Sequence, residues 1–214
     1  MEANKQMCDL IVLEAFSITN KMRLRQRSDS WPDNDSADRF LMEMRMVRRR
    51  LLKKFLFNSF TALVDYSAEL KDFVKTPAFQ IMSSCVVFDL FSKTNGPKKK
   101  VDFGFFFLSR SMATAEIVAE MKKRNLRPAN FQELMYFSQR YIQLLKLFEL
   151  SSPAADYQER DNVYFARVVA RPGLSPKKKP YIDVHIFSHY QEPKEKIIWH
   201  PDAQVILGVY LLDK

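Results

Sequence analysis

Six cations fall within the ten residues RMVRRRLLKK, residues 45–54. On a helix, Arg45, Arg49 and Lys53 recur at four-residue spacing and line one side, with Arg48 and Arg50 beside them. Such a row could meet the phosphates of RNA or DNA, or it could be a solvated helix face. Two further clusters add to it: Lys98, Lys99 and Lys100 after a Gly-Pro pair, and Lys122 and Lys123 in KKRNLR. Lys177–Lys179 form a third run. No base-reading motif accompanies any of them, so the expected chemistry is sequence-independent contact with phosphate.

Other constellations are thinner. His185 and His189 stand four apart, a spacing that binds metal on a helix, but HIFSH lacks the glutamate of a zinc-protease motif and sits in a strand-like run. Structural histidines and no metal are the expectation. Cys8 and Cys85 are far apart and outside any CxxC spacing, which suits free thiols in a reducing compartment. No G-x-S-x-G is present, and Asp156, Glu159 and Asp161 read as solvated carboxylates of a polar loop. No catalytic residue or cofactor can be named; an enzyme with a dispersed site stays open as an alternative. DFGFFFL shares an F-G-F with RNA-recognition motifs, but Val101 and Asp102 replace their basic-Gly pair, so a buried strand is expected.

These residues need elements to hold them. The 214 residues carry a net charge of +9 and a pI near 9.5, with 18 Phe and only 4 Gly. Few glycines disfavour a backbone cradle for phosphate. Apolar spacing predicts a helix over residues 3–27, then a loop through SDSWPDNDSAD. From Ala37 to Val74 no Gly or Pro interrupts the chain, and Phe40, Leu41, Met44, Val47, Leu51, Leu52, Phe55, Leu56, Phe60, Leu63 and Val64 keep a period near 3.6. One long helix, or two nearly continuous ones, is predicted there. The apolar run 78–91 ends in CVVFDLF, β-branched and aromatic, which could be helix or strand.

A linker is expected at residues 96–100. It would divide an N-terminal helical region, residues 1–95, from an α+β domain, residues 101–214, with two helices and a mostly antiparallel sheet. The helices are placed at 113–125 and 131–147, after the strand VDFGFFFL; the strands NVYFARVVA, YIDVHIF, EKIIW and AQVILGVYLL follow, between loops that include Pro153. The N-terminus lacks the layout of a secretion signal and no run of about 18 apolar residues exists, so no membrane contact and a cytoplasmic location are expected.

The segment SMATAEIVAEMKKRNLRPANFQEL, residues 111–134, resembles a module of uncharacterised proteins from candidate-phyla bacteria. Their pattern is an LS-x-x-MT entry, an EVLAEM helix, then K-x-x-G-x-RPAT and a helix beginning xELL. The likeness spans residues 108–134 and does not reach residues 1–100. It implies a sheet-rich end reminiscent of C-type-lectin-like domains, whose variable surfaces bind ligands. Here Ala113 replaces the Thr that would cap the first helix, leaving Ser111 or Thr114 as substitutes one register away. Asn125 replaces Gly at a left-handed helix end, and Asn130 with Glu133 suits a capping box. Two binding functions compete: a non-catalytic intracellular binding or assembly protein with a basic surface on RNA or DNA, and a protein- or ligand-binding module using the C-terminal sheet.

Overall fold

A computed structural model describes residues 60–75, 79–80, 90–146, 148–171, 181–190, 193–200 and 204–211. All of them belong to one compact unit, Asn58–Lys214. The helix expected over 3–27, most of the long helix, and the candidate residues Arg45, Arg48, Arg49 and Lys53 lie outside the described residues.

The chain builds one large, mostly antiparallel sheet with a helix on each face, an α+β arrangement. Its strands are β1 (Phe60–Asp65), β2 (Phe79–Gln80), β3 (Lys98–Phe106), β5 (Leu126–Pro128), β6 (Glu149–Glu159), β7 (Asn162–Arg171), β8 (Tyr181–Tyr190) and β10 (Gln204–Tyr210). They lie in the order β1-β3-β10-β6-β7-β8-β2, with β5 also paired to β10. Among the described strand pairs, only β10–β6 and β2–β8 are parallel. A separate two-stranded clasp joins β4 (Met112–Ala113) to β9 (Ile198–Trp199). The helices are α1 (Thr114–Lys123) and α2 (Phe131–Arg140).

Strand alternation sorts the side chains. In β3, Val101, Phe103 and Phe105 point to the α2 side. The Phe137 ring of α2 meets Phe103 at 5.2 Å and Phe105 at 5.5 Å, and Phe60 of β1 at 6.0 Å. Gly104 and Phe106 point to the α1 side, where Phe106, Ile117, Met121, Leu126, Phe165, Trp199 and Ile206 close a second core. Burying large aromatics on both faces is what lets a Phe-rich sheet exclude water from each side.

Several expectations change. Phe60, Leu63 and Val64 keep helical spacing, yet they form β1, because Phe60–Asp65 pairs residue by residue with Phe103–Lys98. Period 2 also fits them: Ala62 and Val64 are buried while Thr61 and Leu63 are exposed. The 96–100 linker is partly strand, since Lys98–Lys100 open β3. β6 occupies a stretch read as loop; its register to β7 shifts between Ser151 and Asp156, a bulge that accommodates Pro153 and its missing N–H. The second helix ends at Arg140, short of 147, and gives way to a 3-10 turn at Leu144–Lys146.

Candidate nucleic-acid interface

The elbow between α1 and α2 is fixed from beneath by two glycines. Gly104 and Gly208 face each other across β3 and β10. A methyl group on Gly208 would stand 2.7 Å from Met121 Cε, and one on Gly104 would stand 3.0 Å from the Tyr210 ring and 3.1 Å from Leu126 Cδ2. Without side chains there, the end of α1 settles directly on the sheet. Asn125 then turns the chain in the left-handed region at φ 57°, as its position predicts. Its carbonyl accepts from the Leu211 N–H and its Nδ2 donates to the Leu211 carbonyl, both at 2.9 Å, which latches the elbow to the end of β10.

The RPANFQE run closes the elbow from the other side. Asn130 Oδ1 accepts from the Glu133 N–H at 2.9 Å and Glu133 Oε2 accepts from the Asn130 N–H at 2.8 Å, the capping box its sequence predicts. Glu133 is fully buried, yet its carboxylate also takes both terminal nitrogens of Arg127, at 2.6 and 2.8 Å, and the Tyr66 hydroxyl at 2.5 Å. Charge-assisted hydrogen bonds from several donors offset the cost of taking a carboxylate out of water. Burial, then the Glu133 hydrogen bond, push the Tyr66 pKa up; the bond to Glu133 raises that of Arg127. Gln132, also buried, accepts from the Thr94 N–H at 2.9 Å.

The start of α1 departs from expectation. Ala113 is the N-cap and no side chain caps the helix; neither Ser111 nor Thr114 substitutes. Thr114 instead joins the clasp: its N–H donates to the Ile197 carbonyl at 2.9 Å and its Oγ1 accepts from Trp199 Nε1 at 2.8 Å. Ser111 Oγ lies 3.0 Å from His200 Nδ1.

This scaffold sets cations on one face of β3. Lys98 and Lys100 share the face of Gly104 and Phe106, and both are exposed. At the other end Arg124, just past α1, holds its guanidinium carbon 4.8 Å from the Phe106 ring centroid. Lys122 and Lys123 belong to that same exposed turn. Eight residues of strand separate Phe106 from Lys98, so the cationic strip is about 26 Å long. Lys99 falls on the opposite face. Acids temper the strip: Lys98 pairs with Asp65 at 3.1 Å and Lys123 with Glu120 at 2.5 Å, and Asp102, on the same face of β3, accepts from the Thr61 hydroxyl. The Ser67 hydroxyl and then Lys98 hold the Asp65 carboxyl below its usual range, and Lys123 does the same for Glu120. Among the described residues no carboxylate lies within ion-pair distance of Lys99, Lys100 or Lys122. Of the candidate residues, Lys98 and Lys100 lie on this face of β3, and Lys122 and Lys123 lie in the exposed helix turn next to Arg124. Arg124, which sits inside the KKRNLR run, was not singled out by the sequence, because the register carrying it onto β3 is a tertiary fact.

A second polar group was also illegible. Arg167 of β7 stands opposite Ser151 of β6 and His185 of β8. Arg167 Nη1 lies 3.2 Å from Glu149 Oε2, and His185 Nε2 lies 2.9 Å from Oδ2 of buried Asp183. Arg167 Nε is buried with no hydrogen-bond partner among the described residues. The strand spacing of His185 and His189 sets them about 13 Å apart, too far to share an ion. His189 instead packs edge-on against Phe165 and Phe187. Among the described residues no group of three or more His, Cys, Asp or Glu could hold a metal ion. Asp156 lies on β6 with Lys194 Nζ at 2.7 Å, so it is not a loop carboxylate. Phe103 and Phe105 are buried, so neither offers a stacking face for a base. No helix among the described residues is long and apolar enough to cross a membrane. The chain matches no family model, no curated protein and no solved structure.

Proposed function

We propose that this chain is a non-catalytic intracellular binding or assembly protein that contacts RNA or DNA through phosphates, as a subunit of a larger complex. The observation supporting the reading is the cationic strip: Lys98 and Lys100 on one face of β3, with Arg124 against Phe106 of that face and Lys122 and Lys123 in the exposed helix turn beside it. Lys99 adds charge at the margin. Arg45, Arg48, Arg49 and Lys53 complete the proposed contact residues. The lysine ends of the strip's ion pairs are exposed, and such surface pairs contribute little, so Asp65 and Glu120 do not prevent contact with phosphate. Binding of this kind weakens steeply with salt, because each neutralised phosphate releases counterions. The test is fluorescence anisotropy of labelled mixed-sequence RNA and DNA at rising salt. A linear fall of log affinity with log salt, shallower in a Lys98→Glu/Lys100→Glu/Lys122→Glu variant, supports the reading; affinity indifferent to both rejects it.

A second reading has its own observation. The half-buried row Glu149, Arg167 and His185, with Asp183 beneath it, crosses three strands of the C-terminal sheet. It suits a protein- or ligand-binding module, as the resemblance to lectin-like domains implies. Arg167→Ala and His185→Ala would then abolish partner capture while leaving salt-dependent nucleic-acid binding intact.

A further inference from the structure

We infer that the cationic strip takes single-stranded nucleic acid in preference to a duplex, an inference that rests on the polyanion reading above. The reason lies in what alternates with the cations. Leu63 is the most exposed large apolar side chain among the described residues, at 57%. Its cross-strand partner is Lys100, and the neighbouring pair on the same face is Asp65 with Lys98. The pair on its other side is Thr61 with Asp102, so Leu63 sits between Lys100 and Lys98 with Asp65 and Asp102 as the flanking acids. Further along that face the half-buried Tyr210 ring lies against Gly104, between Lys100 and the Phe106–Arg124 contact. The order along that face of β3 is thus cation and leucine, then Asp102, which accepts from the Thr61 hydroxyl at 2.5 Å, then tyrosine, then cation.

A duplex presents phosphates and sugars outward and keeps its base faces stacked inside. Docked here, it would satisfy the lysines and press Leu63 against a charged backbone, where burial gains nothing. A single strand exposes both its phosphates and its base faces. Its backbone can follow Lys98, Lys100 and the Lys122–Lys123–Arg124 turn while its bases cover Leu63 and the open part of Tyr210. The strip's length of about 26 Å suits the lower end of the roughly 4–16 nucleotides held by comparable grooves. No group in the strip reads base edges, so the preference is for strandedness and not for sequence.

The test uses the full chain and four labelled probes in fluorescence polarisation: mixed-sequence single-stranded RNA, single-stranded DNA, the matched DNA duplex, and polyglutamate. The expected result is that both single strands bind at least ~10-fold tighter than the duplex, in keeping with one or two bases packed on apolar surface. Leu63→Ser, a change at an exposed position that keeps the melting temperature, is expected to weaken single-strand binding on the order of 5-fold and leave duplex binding unchanged. A Lys98→Glu/Lys100→Glu variant weakens every nucleic-acid probe. Equal affinity for single strand and duplex, with Leu63→Ser silent, overturns the inference and leaves the polyanion reading standing. Failure of all nucleic-acid probes at low salt overturns both. Tighter binding of polyglutamate than of any nucleic acid also overturns the inference, and points to an acidic protein partner.

Discussion

Two clusters of opposite charge, set about one elbow, behave differently because of where water can reach. Glu133 and Tyr66 meet in the interior, Arg127 reaches them from a side chain still 41% exposed, and every oxygen of the Glu133 carboxylate has donors at 2.5 to 2.8 Å. Lys98 with Asp65 and Lys123 with Glu120 meet on the surface, where solvent competes for each partner. The buried cluster is committed: removing one member strands the rest in a dry site. The exposed cluster is available, since its cations lose little by trading a carboxylate for a phosphate. Basic residues of one run, KKRNLR, are thereby divided, with Arg127 given to architecture and Lys122, Lys123 and Arg124 left for a partner.

The sharpest way to break that contrast is to delete the buried carboxylate. Glu133→Ala removes the partner of Arg127 and Tyr66 and the return bond of the capping box, and is expected to cost about 3–5 kcal/mol in denaturant unfolding. A loss no larger than that of a surface substitution would mean that the buried cluster is no more committed than the exposed one. The same cluster carries a pH signature. The Tyr66 pKa is raised above its ordinary value of 10.0, so its protonated form favours the native state. That contribution is fully present below pH about 10 and is lost as pH rises beyond it. Tyr66→Phe should flatten the alkaline fall of stability relative to the parent, read from urea melts on either side of pH 10.

Smaller, and aimed at the seat of the elbow, is Gly208→Ala. The new methyl group would approach Met121 Cε to 2.7 Å, so either the flexible methionine tip moves or the end of α1 lifts. An overpacking cost of about 1–3 kcal/mol is expected. Met121→Ala in the same chain should recover part of it, a non-additive pair that a double-mutant cycle would detect. If the two losses simply add, Gly208 is not what seats the elbow.

The elbow was legible in the sequence because its signals are local. Asn125 as the left-handed residue and the Asn130–Glu133 box act within a few residues of one another, and each took the predicted geometry. What failed was set by distant pairing. Phe60–Val64 carry apolar residues that satisfy a period of 3.6 and a period of 2 alike, and the choice was made by β3, some forty residues on. β6 hid behind Pro153, a residue that breaks strands unless a bulge absorbs it. Of the site, Lys98, Lys100, Lys122 and Lys123 could be named from charge alone. Their sharing one strip, with Arg124 and Leu63 in it, depends on the register of β3 with β1 and on the packing of the elbow on β10. The row through Arg167 and His185 has no spacing signal at all, since its members come from three strands joined only by cross-strand pairing.

The least disruptive change completes the comparison from the exposed side. Lys100→Glu with Lys122→Glu reverses two cations that have no ion-pair partner among the described residues, both on exposed positions. Surface substitutions of this kind usually alter stability by no more than about 0.5 kcal/mol, so the melting temperature should hold. Nucleic-acid affinity at low salt should fall. The slope of log affinity against log salt should become shallower by roughly 0.7 for each single-strand phosphate that the variant no longer neutralises. A variant that melts early would show these lysines to be structural, like Arg127. A variant that melts normally and binds as before would place the binding surface elsewhere. Only unchanged melting with weakened, less salt-dependent binding fits a cationic strip that the fold holds out to solvent without relying on it.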